Sequence, residues 1–294
     1  MKQDSITNVP KPNHIMKDLK KHQSILIIMT VINLLVLWNF ISSGKIEHGI
    51  GYFIFFYVAL LIIHYLTKIN PPKNEIEVKE PRRELSVALI FSLLGGLFLT
   101  LNFMLKEDLI PDTLFTRMPI FLGSFLFAMP LGMFVYFLIK KYKIMALGLT
   151  TKPLSSLLTG LFIWGLTGLF AYIFNKEGIL WSVALEELGG VGGILLKGVI
   201  GAALFEEFTR FILQSRFERV FNSTGMSILV ASTIWAFMHF PVTYFKSSDL
   251  AGTLVYCFQI IPLGILWGYL TQRTKSIVPS TIVHGFNLWG FQNG

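Results

Sequence analysis

The stretch Phe205-Glu206-Glu207-Phe208-Thr209-Arg210 places two acids and one base inside an apolar segment that runs from Ile194 to Leu213. A charged side chain at the centre of a bilayer costs about 2.5–3.5 kcal/mol on insertion scales, whereas each Leu or Ile favours insertion by only about 0.3–0.6 kcal/mol. The segment is long enough to cross a bilayer, but its charges need partners inside a helix bundle. The sequence therefore predicts a buried polar site, and such sites in membrane helices usually serve a function.

The composition of the whole chain is that of a protein with many membrane-spanning helices. Hydrophobic residues make up 53% of the 294 residues and charged residues 14%. This balance excludes an ordinary soluble domain, because such a chain builds its contacts within lipid. We expect an all-α fold, a polytopic transmembrane helix bundle of about eight or nine spans, embedded in a lipid bilayer. The single cysteine, Cys257, excludes disulfides within the chain and a cysteine-rich metal site.

The basic residues between the apolar segments indicate the topology. The N-terminal tail and the loops after the second, fourth, sixth and eighth segments hold 18 Lys and Arg, including Arg216 and Arg219, against six on the other side. The positive-inside rule then places the N-terminus in the cytoplasm, in what we expect to be a bacterial inner or plasma membrane. The basic residues are spread over short loops, so nucleic-acid binding is not expected. The apolar segments are 23–43, 50–67, 85–105, 119–139, 154–174, 191–213, 226–244, 251–271 and 277–291.

A proline-containing segment, residues 70–84, is the best candidate for a linker. It divides the chain into residues 1–84, which comprise a cytoplasmic tail, a two-span hairpin and the linker, and residues 85–294, which form the main transmembrane bundle.

Further polar side chains occur in two later segments. His239 lies in the seventh segment, and His284 and Asn287 lie in the ninth. At a rise of 1.5 Å per residue, Glu206 lies roughly 12 Å, His239 roughly 20 Å and His284 roughly 10 Å from the cytoplasmic side. The charge topology and the polar positions are independent observations, and their agreement predicts one shared cavity.

The helical arrangement of the sixth segment suggests different roles for the two acids. Neighbouring helix residues point about 100° apart, so Glu206 and Glu207 do not face one point. Arg210 lies within ion-pair reach of either acid. We expect one acid to be held ionised by Arg210 while the other acts as a general base. Glu206 is the preferred base, since it shares a face with the small residues Gly198 and Ala202, which let another helix approach closely.

Two histidines and a glutamate permit two kinds of chemistry. Glu206, His239 and His284 would supply the three ligands of a catalytic zinc site. In the other arrangement, Glu206 and His239 deprotonate a water molecule while His284 and Asn287 stabilise the oxyanion. The chain has no His-Glu-x-x-His stretch, the motif of the common zinc-protease helix. We therefore expect no cofactor, with a divalent metal such as zinc as the alternative.

The order of these motifs resembles that of the CPBP family of intramembrane proteases, which includes the CAAX prenyl endopeptidases and the bacteriocin-processing or Abi proteins. The resemblance rests on Glu206-Glu207 followed by Arg210, on an aromatic residue four positions before His239, on His284 with a nearby Asn, and on the stretch Gly264 to Pro279. It covers roughly residues 145–291. Three details depart from the usual pattern. Two residues instead of three lie between Glu207 and Arg210, and Trp235 stands where Phe is usual. Asn287 follows His284 by three positions instead of four.

The resemblance implies an intramembrane endopeptidase that acts on an apolar, prenylated or other membrane-associated peptide. Its acid, Glu206 with Glu207 as the substitute, and its first histidine would activate water, while the second histidine and the asparagine bind the oxyanion. A non-catalytic membrane scaffold or immunity protein of the same fold is the main alternative, and a proton-coupled transporter is a weaker one. The candidate catalytic residues are Glu206, Glu207, Arg210, His239, His284 and Asn287.

Overall fold

A computed structural model describes residues 23–69, 71–72, 76–149, 152–174, 186 and 189–286. Throughout these residues the regular elements are helices and there is no strand, which confirms the all-α prediction. The helices are α1 (Gln23–Ser42), α2 (Ile46–Ile69), α3 (Pro81–Lys106), α4 (Leu114–Gly123, continued by a π-helical turn Ser124–Ala128), α5 (Leu131–Ile139), a 3-10 turn (Ile144–Leu147), α6 (Pro153–Phe174), α7 (Gly190–Gly193), a π-helical segment (Ile194–Leu204), α8 (Phe205–Phe221), α9 (Thr224–Met238), α10 (Phe240–Ser247), α11 (Leu250–Thr274) and α12 (Val278–Phe286).

Fewer helices are able to span a membrane than the sequence predicts. In the described part of the chain, five helices are long and apolar enough, or six if the pair α4 and α5, bent by 56° near Pro130, counts as one span. The number of eight or nine is therefore not confirmed. The described part of the ninth apolar segment contains the nine-residue α12, and the sixth changes from π-helical to α-helical geometry where the more polar α8 begins.

Helix α8 lies at the centre of the contacts that position the polar residues. It packs against α3, α9 and α11, while α12 packs against α6, α11 and the π-helical segment. Two glycines allow these close approaches. A Cβ atom at Gly285 would lie 2.6 Å from the Cα of Val199, and one at Gly160 would lie 2.9 Å from the carbonyl oxygen of Pro279. Small residues of this kind let helices pack tightly in lipid, and here they fix the position of α12.

A buried ion pair joins α3 and α8 at the end of the bundle where α3 begins. Arg216 Nε donates to Glu84 Oε2 at 3.1 Å, and the Tyr142 hydroxyl donates to Glu84 Oε1 at 2.5 Å. The Arg216 guanidinium also lies over the Phe137 ring, 4.5 Å from its centroid. The assignment of Arg216 to a loop is therefore wrong: α8 continues to Phe221, and Arg216 is fully buried. Likewise, the predicted linker is shorter, since α3 begins at Pro81.

Candidate active site

Three of the predicted site residues come together from three helices. The Oε2 atom of Glu206, near the start of α8, lies 3.5 Å from Nε2 of His239 and 3.6 Å from Nε2 of His284. His239 follows the last residue of α9, and His284 lies in α12. One carboxylate oxygen thus faces two imidazoles, although 33 and 78 residues separate them from Glu206 along the chain.

Glu206 and His239 line a cavity, whereas His284 lies behind them. The cavity has a volume of about 290 Å³ and is bounded by α3, the π-helical turn Ser124–Ala128, α8 and α9. The side chains of Glu206 and His239 are 29% and 20% exposed, whereas that of His284 is 3% exposed. A cavity of this size has room for a water molecule beside the carboxylate.

Hydrogen bonds fix the orientation of both groups in the cavity. The indole Nε1 of Trp235 donates to Glu206 Oε2 at 2.6 Å. The Nδ1 atom of His239 lies 3.1 Å from the carbonyl oxygen of Trp235, which only accepts hydrogen bonds. We therefore assign the Nδ1 proton of His239 to this bond. The other nitrogen, Nε2, is then the one directed at Glu206.

Glu207 occupies a different environment from Glu206. Its side chain is fully buried and forms an ion pair with Arg210, one turn further along α8. The Oε1 atom of Glu207 also lies 3.2 Å from Nδ1 of His284. A carboxylate accepts hydrogen bonds, so His284 donates its Nδ1–H to Glu207 and turns Nε2 toward Glu206. Arg210 thus pairs with the second acid and leaves the first in the cavity.

Arg210 is itself fixed by hydrogen bonds to neighbouring polar groups, in a space that a glycine leaves open. Its Nη1 donates to Gln214 Oε1 at 3.2 Å and its Nη2 to Thr271 Oγ1 at 3.3 Å. Gln214 in turn donates to the carbonyl oxygen of Gly268 at 3.1 Å. A Cβ atom at Gly268 would lie 2.8 Å from Arg210 Nη1 and 2.9 Å from Gln214 Oε1. The glycine therefore leaves the space that these side chains occupy.

Sequence reasoning assigned no role to two residues that support the site, Trp267 and Gly268. The Trp267 ring stacks on His284 with centroids 4.0 Å apart and an angle of 19° between the planes. Trp235 meets the same imidazole edge-on, at 5.5 Å and 89°. Both missed residues belong to the stretch Gly264 to Pro279 that carries the family resemblance. That location was the available signal, but only the fold shows what each residue contacts.

Two expectations from the sequence remain, the role of Asn287 and the alternative of a bound metal. Asn287 lies outside the described residues. Within the described ranges, no group of three or more His, Cys, Asp and Glu side chains is arranged to hold a metal ion. The Glu206 oxygen that faces both imidazoles already accepts the Trp235 indole proton. The described residues thus give the zinc alternative no support, and the reaction proposed for Glu206, His239 and His284 uses no metal.

Comparison with known proteins gives one result for the region that contains the site. Residues 191–289, about a third of the chain, match the family model described as Rce1-like, type II CAAX prenyl endopeptidase Rce1-like. This match confirms the resemblance to the CPBP family over α8 to α12. Together with the apolar helices, the match supports an integral membrane protein that is a protease of the CAAX class. No curated protein and no solved structure matches the chain.

Proposed function

We propose that the protein is an intramembrane endopeptidase in which Glu206 and His239 activate a water molecule for attack on a peptide bond. The observation that carries the proposal is the approach of Glu206 Oε2 to both His239 Nε2 and His284 Nε2 beside a cavity. An acid and an imidazole this close can reach hydrogen-bond distance when the substrate binds and then act as a general-base pair. We further propose that the protein lies in a bacterial inner or plasma membrane with its N-terminus in the cytoplasm.

The proposed reaction begins with proton transfer from water to Glu206. As the water oxygen bonds to the peptide carbonyl carbon, the carboxylate takes one of its protons, and the carbonyl oxygen gains the negative charge. His239 Nε2, 3.5 Å from the same carboxylate oxygen, shares this proton. The proton then moves to the peptide nitrogen, the carbon–nitrogen bond breaks as the oxyanion forms a carbonyl again, and the products are a carboxylic acid and an amine. The acid then gives its proton to the amine, which leaves a carboxylate and an ammonium group.

His284 is proposed to stabilise the oxyanion, with Asn287 as a second donor. When both imidazole nitrogens carry protons, Nδ1–H donates to Glu207 and Nε2–H is directed at the region beside Glu206. A donor held at the point where negative charge develops stabilises the transition state. Glu207 and Arg210 then act as positioning residues, because their ion pair fixes the carboxylate that orients His284.

A second cavity suggests where an apolar part of the substrate binds. This pocket of about 270 Å³ is lined almost entirely by apolar side chains, among them Leu204, Phe208 and Ile277. It shares Met129 and Phe205 with the catalytic cavity, so the two spaces adjoin. We propose that a prenyl group or other apolar chain of a membrane-associated peptide occupies this pocket, while the peptide lies beside Glu206.

The test is cleavage of a prenylated peptide by the full-length protein in proteoliposomes. We expect Glu206→Gln and His239→Ala each to lower kcat by about 10³-fold, because each removes one half of the base pair. Thermal unfolding in detergent should show that both variants remain folded. The product should carry one oxygen atom from labelled water in its new carboxylate.

Matched controls are available, one in the same helix as Glu206 and one in another apolar helix. Glu218→Gln removes a carboxylate from α8 that lies far from the cavity, and His64→Ala removes a membrane-embedded imidazole from α2. Both controls should cleave at the wild-type rate. Undiminished cleavage by the two site variants would refute the proposal. A wild-type protein that binds the peptide without cleaving it would instead support the scaffold alternative.

A further inference from the structure

Helix α3 contributes a polar side chain to the catalytic cavity. Three of its residues, Gly95, Leu99 and Asn102, line the cavity that contains Glu206 and His239. Spacings of four and three residues place them on one face of the helix. Asn102 is therefore directed into the space that a substrate would enter, although it is 104 residues from Glu206 in sequence.

The other polar groups of the cavity wall are bonded to the protein itself. The Ser124 hydroxyl donates to the carbonyl oxygen of Phe98 at 3.4 Å, and the Thr209 hydroxyl donates to that of Phe205 at 3.0 Å. Arg210 is paired with Glu207. By contrast, the Asn102 amide forms no hydrogen bond with any described residue, and its side chain is exposed. Apart from Glu206 and His239, it is the polar group of the described wall that remains available to a ligand.

The chemistry of a primary amide suits one kind of ligand. The side chain offers two N–H donors and one carbonyl acceptor, the complement of a peptide group, which has one acceptor and one donor. Within the described residues this amide has no hydrogen-bonding partner, and it lies on the cavity wall one turn before Lys106, the last residue of α3. A peptide substrate lying along α3 would supply that partner and would be held in register with the activated water.

We propose that Asn102 binds a backbone peptide group of the substrate and so sets the position of the scissile bond relative to Glu206. This inference rests on the proposed endopeptidase function. It adds a residue from a helix outside residues 191–289, the region that matches the protease family. The catalytic cavity would thus use α3 to hold the peptide and α8, α9 and α12 to hydrolyse it.

The test compares three substitutions at Asn102 by steady-state kinetics on the full-length protein in proteoliposomes. Asn102→Leu and Asn102→Ala remove the donor and the acceptor, and we expect KM to rise about tenfold with kcat within about threefold of wild type. Asn102→Gln retains the amide group and should keep KM within about threefold of wild type. The pair of apolar substitutions guards against a packing defect that is specific to one of them.

A control in the same cavity separates peptide binding from a general disturbance of the wall. Ser124→Ala removes a hydroxyl that is bonded to the protein, so its KM should stay at the wild-type value. An unchanged KM in both apolar Asn102 variants would overturn the inference, and so would an equal rise in Ser124→Ala. Either result would leave the endopeptidase proposal standing, provided that the wild type cleaves and Glu206→Gln does not. Absence of cleavage in the wild type would overturn both.

Discussion

Two buried Glu–Arg ion pairs stabilise α8, and they differ in what they connect. Glu207 and Arg210 are one turn apart on the same helix, and their remaining contacts run to His284, Gln214 and Thr271. Glu84 and Arg216 are 132 residues apart, and together with Tyr142 they join α3, α8 and the loop after α5. The side chains of both pairs are almost completely buried.

We infer from this difference that one pair serves the proposed chemistry and the other serves assembly. The bond between Glu207 and Arg210 lies within one helix, and its links to other helices are single contacts to His284 and Thr271. We therefore infer that the main value of this pair lies in the imidazole that it orients. The long-range pair contacts neither the cavity nor a histidine, but it fixes two helices and a loop at one point. Replacing one partner of a buried pair leaves an uncompensated charge, whereas exchanging the partners keeps the pair.

The largest expected effect follows from exchanging the partners of the local pair. In Glu207→Arg combined with Arg210→Glu, the ion pair persists, but a guanidinium now lies next to the Nδ1–H of His284. Two donors then face each other, so we expect kcat for the prenylated peptide to fall about 10⁴-fold, the loss that follows when the orienting acid of a catalytic triad is replaced.

The matched exchange in the other region sharpens the comparison. Glu84→Arg combined with Arg216→Glu should leave kcat within about threefold of wild type, since no residue of the cavity changes its partner. Equal losses of activity in the two exchanged proteins would show that the two pairs do not divide the work as proposed. Thermal unfolding of each protein reports whether the exchanged pair still forms.

The next effect is on stability and concerns the long-range pair alone. Glu84→Gln leaves the Arg216 guanidinium buried beside a neutral amide, and we expect a loss of about 3–5 kcal/mol in the free energy of unfolding. The rate of cleavage per folded molecule should not change. Glu80→Gln is the control, because that exposed carboxylate pairs with Arg83 and Lys140 at the surface and should contribute little. A stability equal to wild type for Glu84→Gln would contradict the assembly role.

The smallest effect concerns Tyr142, which lies outside the spanning helices. Burial, and then the hydrogen bond to the Glu84 carboxylate, raise the pKa of the Tyr142 phenol above its usual value of about 10. The folded protein therefore holds this proton more tightly than the unfolded chain does. The associated stability is complete below about pH 10 and is lost as the pH rises above it.

Tyr142→Phe tests this dependence directly. Removal of the hydroxyl should lower the free energy of unfolding by about 1.5–3 kcal/mol at neutral pH, the range for a hydrogen bond to a charged group. Between pH 10 and 11 the stability of the wild type should decline more steeply than that of the variant. Parallel decline of the two proteins would show that the phenol ionises equally well in the folded state.

The sequence predicted the residues of the candidate site better than the residues that support them. Glu206, His239 and His284 stood out because charged and imidazole groups are rare in apolar segments, and the fold brings all three together. The pairing of Glu84 with Arg216 was not predictable, since each residue lay next to a basic loop and 132 residues separate them. Trp267, which supports the site by stacking on His284, did not stand out because aromatic residues are common in apolar segments.

The predicted number of spans was not confirmed in the described residues, and the reason is related. Hydropathy counts apolar residues along a segment but does not register where the helix stops. It therefore gave the segment before Glu206, which changes helix type at Phe205, the same weight as α3. Nothing in a hydropathy profile predicts that Ile194–Leu204 adopts π-helical geometry, a form that occurs frequently beside functional sites.

Gly268 illustrates how an amino acid without functional groups constrains an electrostatic site. Its missing side chain is the room in which Arg210 and Gln214 sit, and its carbonyl oxygen receives the Gln214 amide. A methyl group there would displace the cation from Glu207, and the histidine beyond it would lose its anchor without any change in formal charge. In genetic terms, loss-of-function alleles should occur at position 268 as well as at the acids, although no reactive atom is altered there.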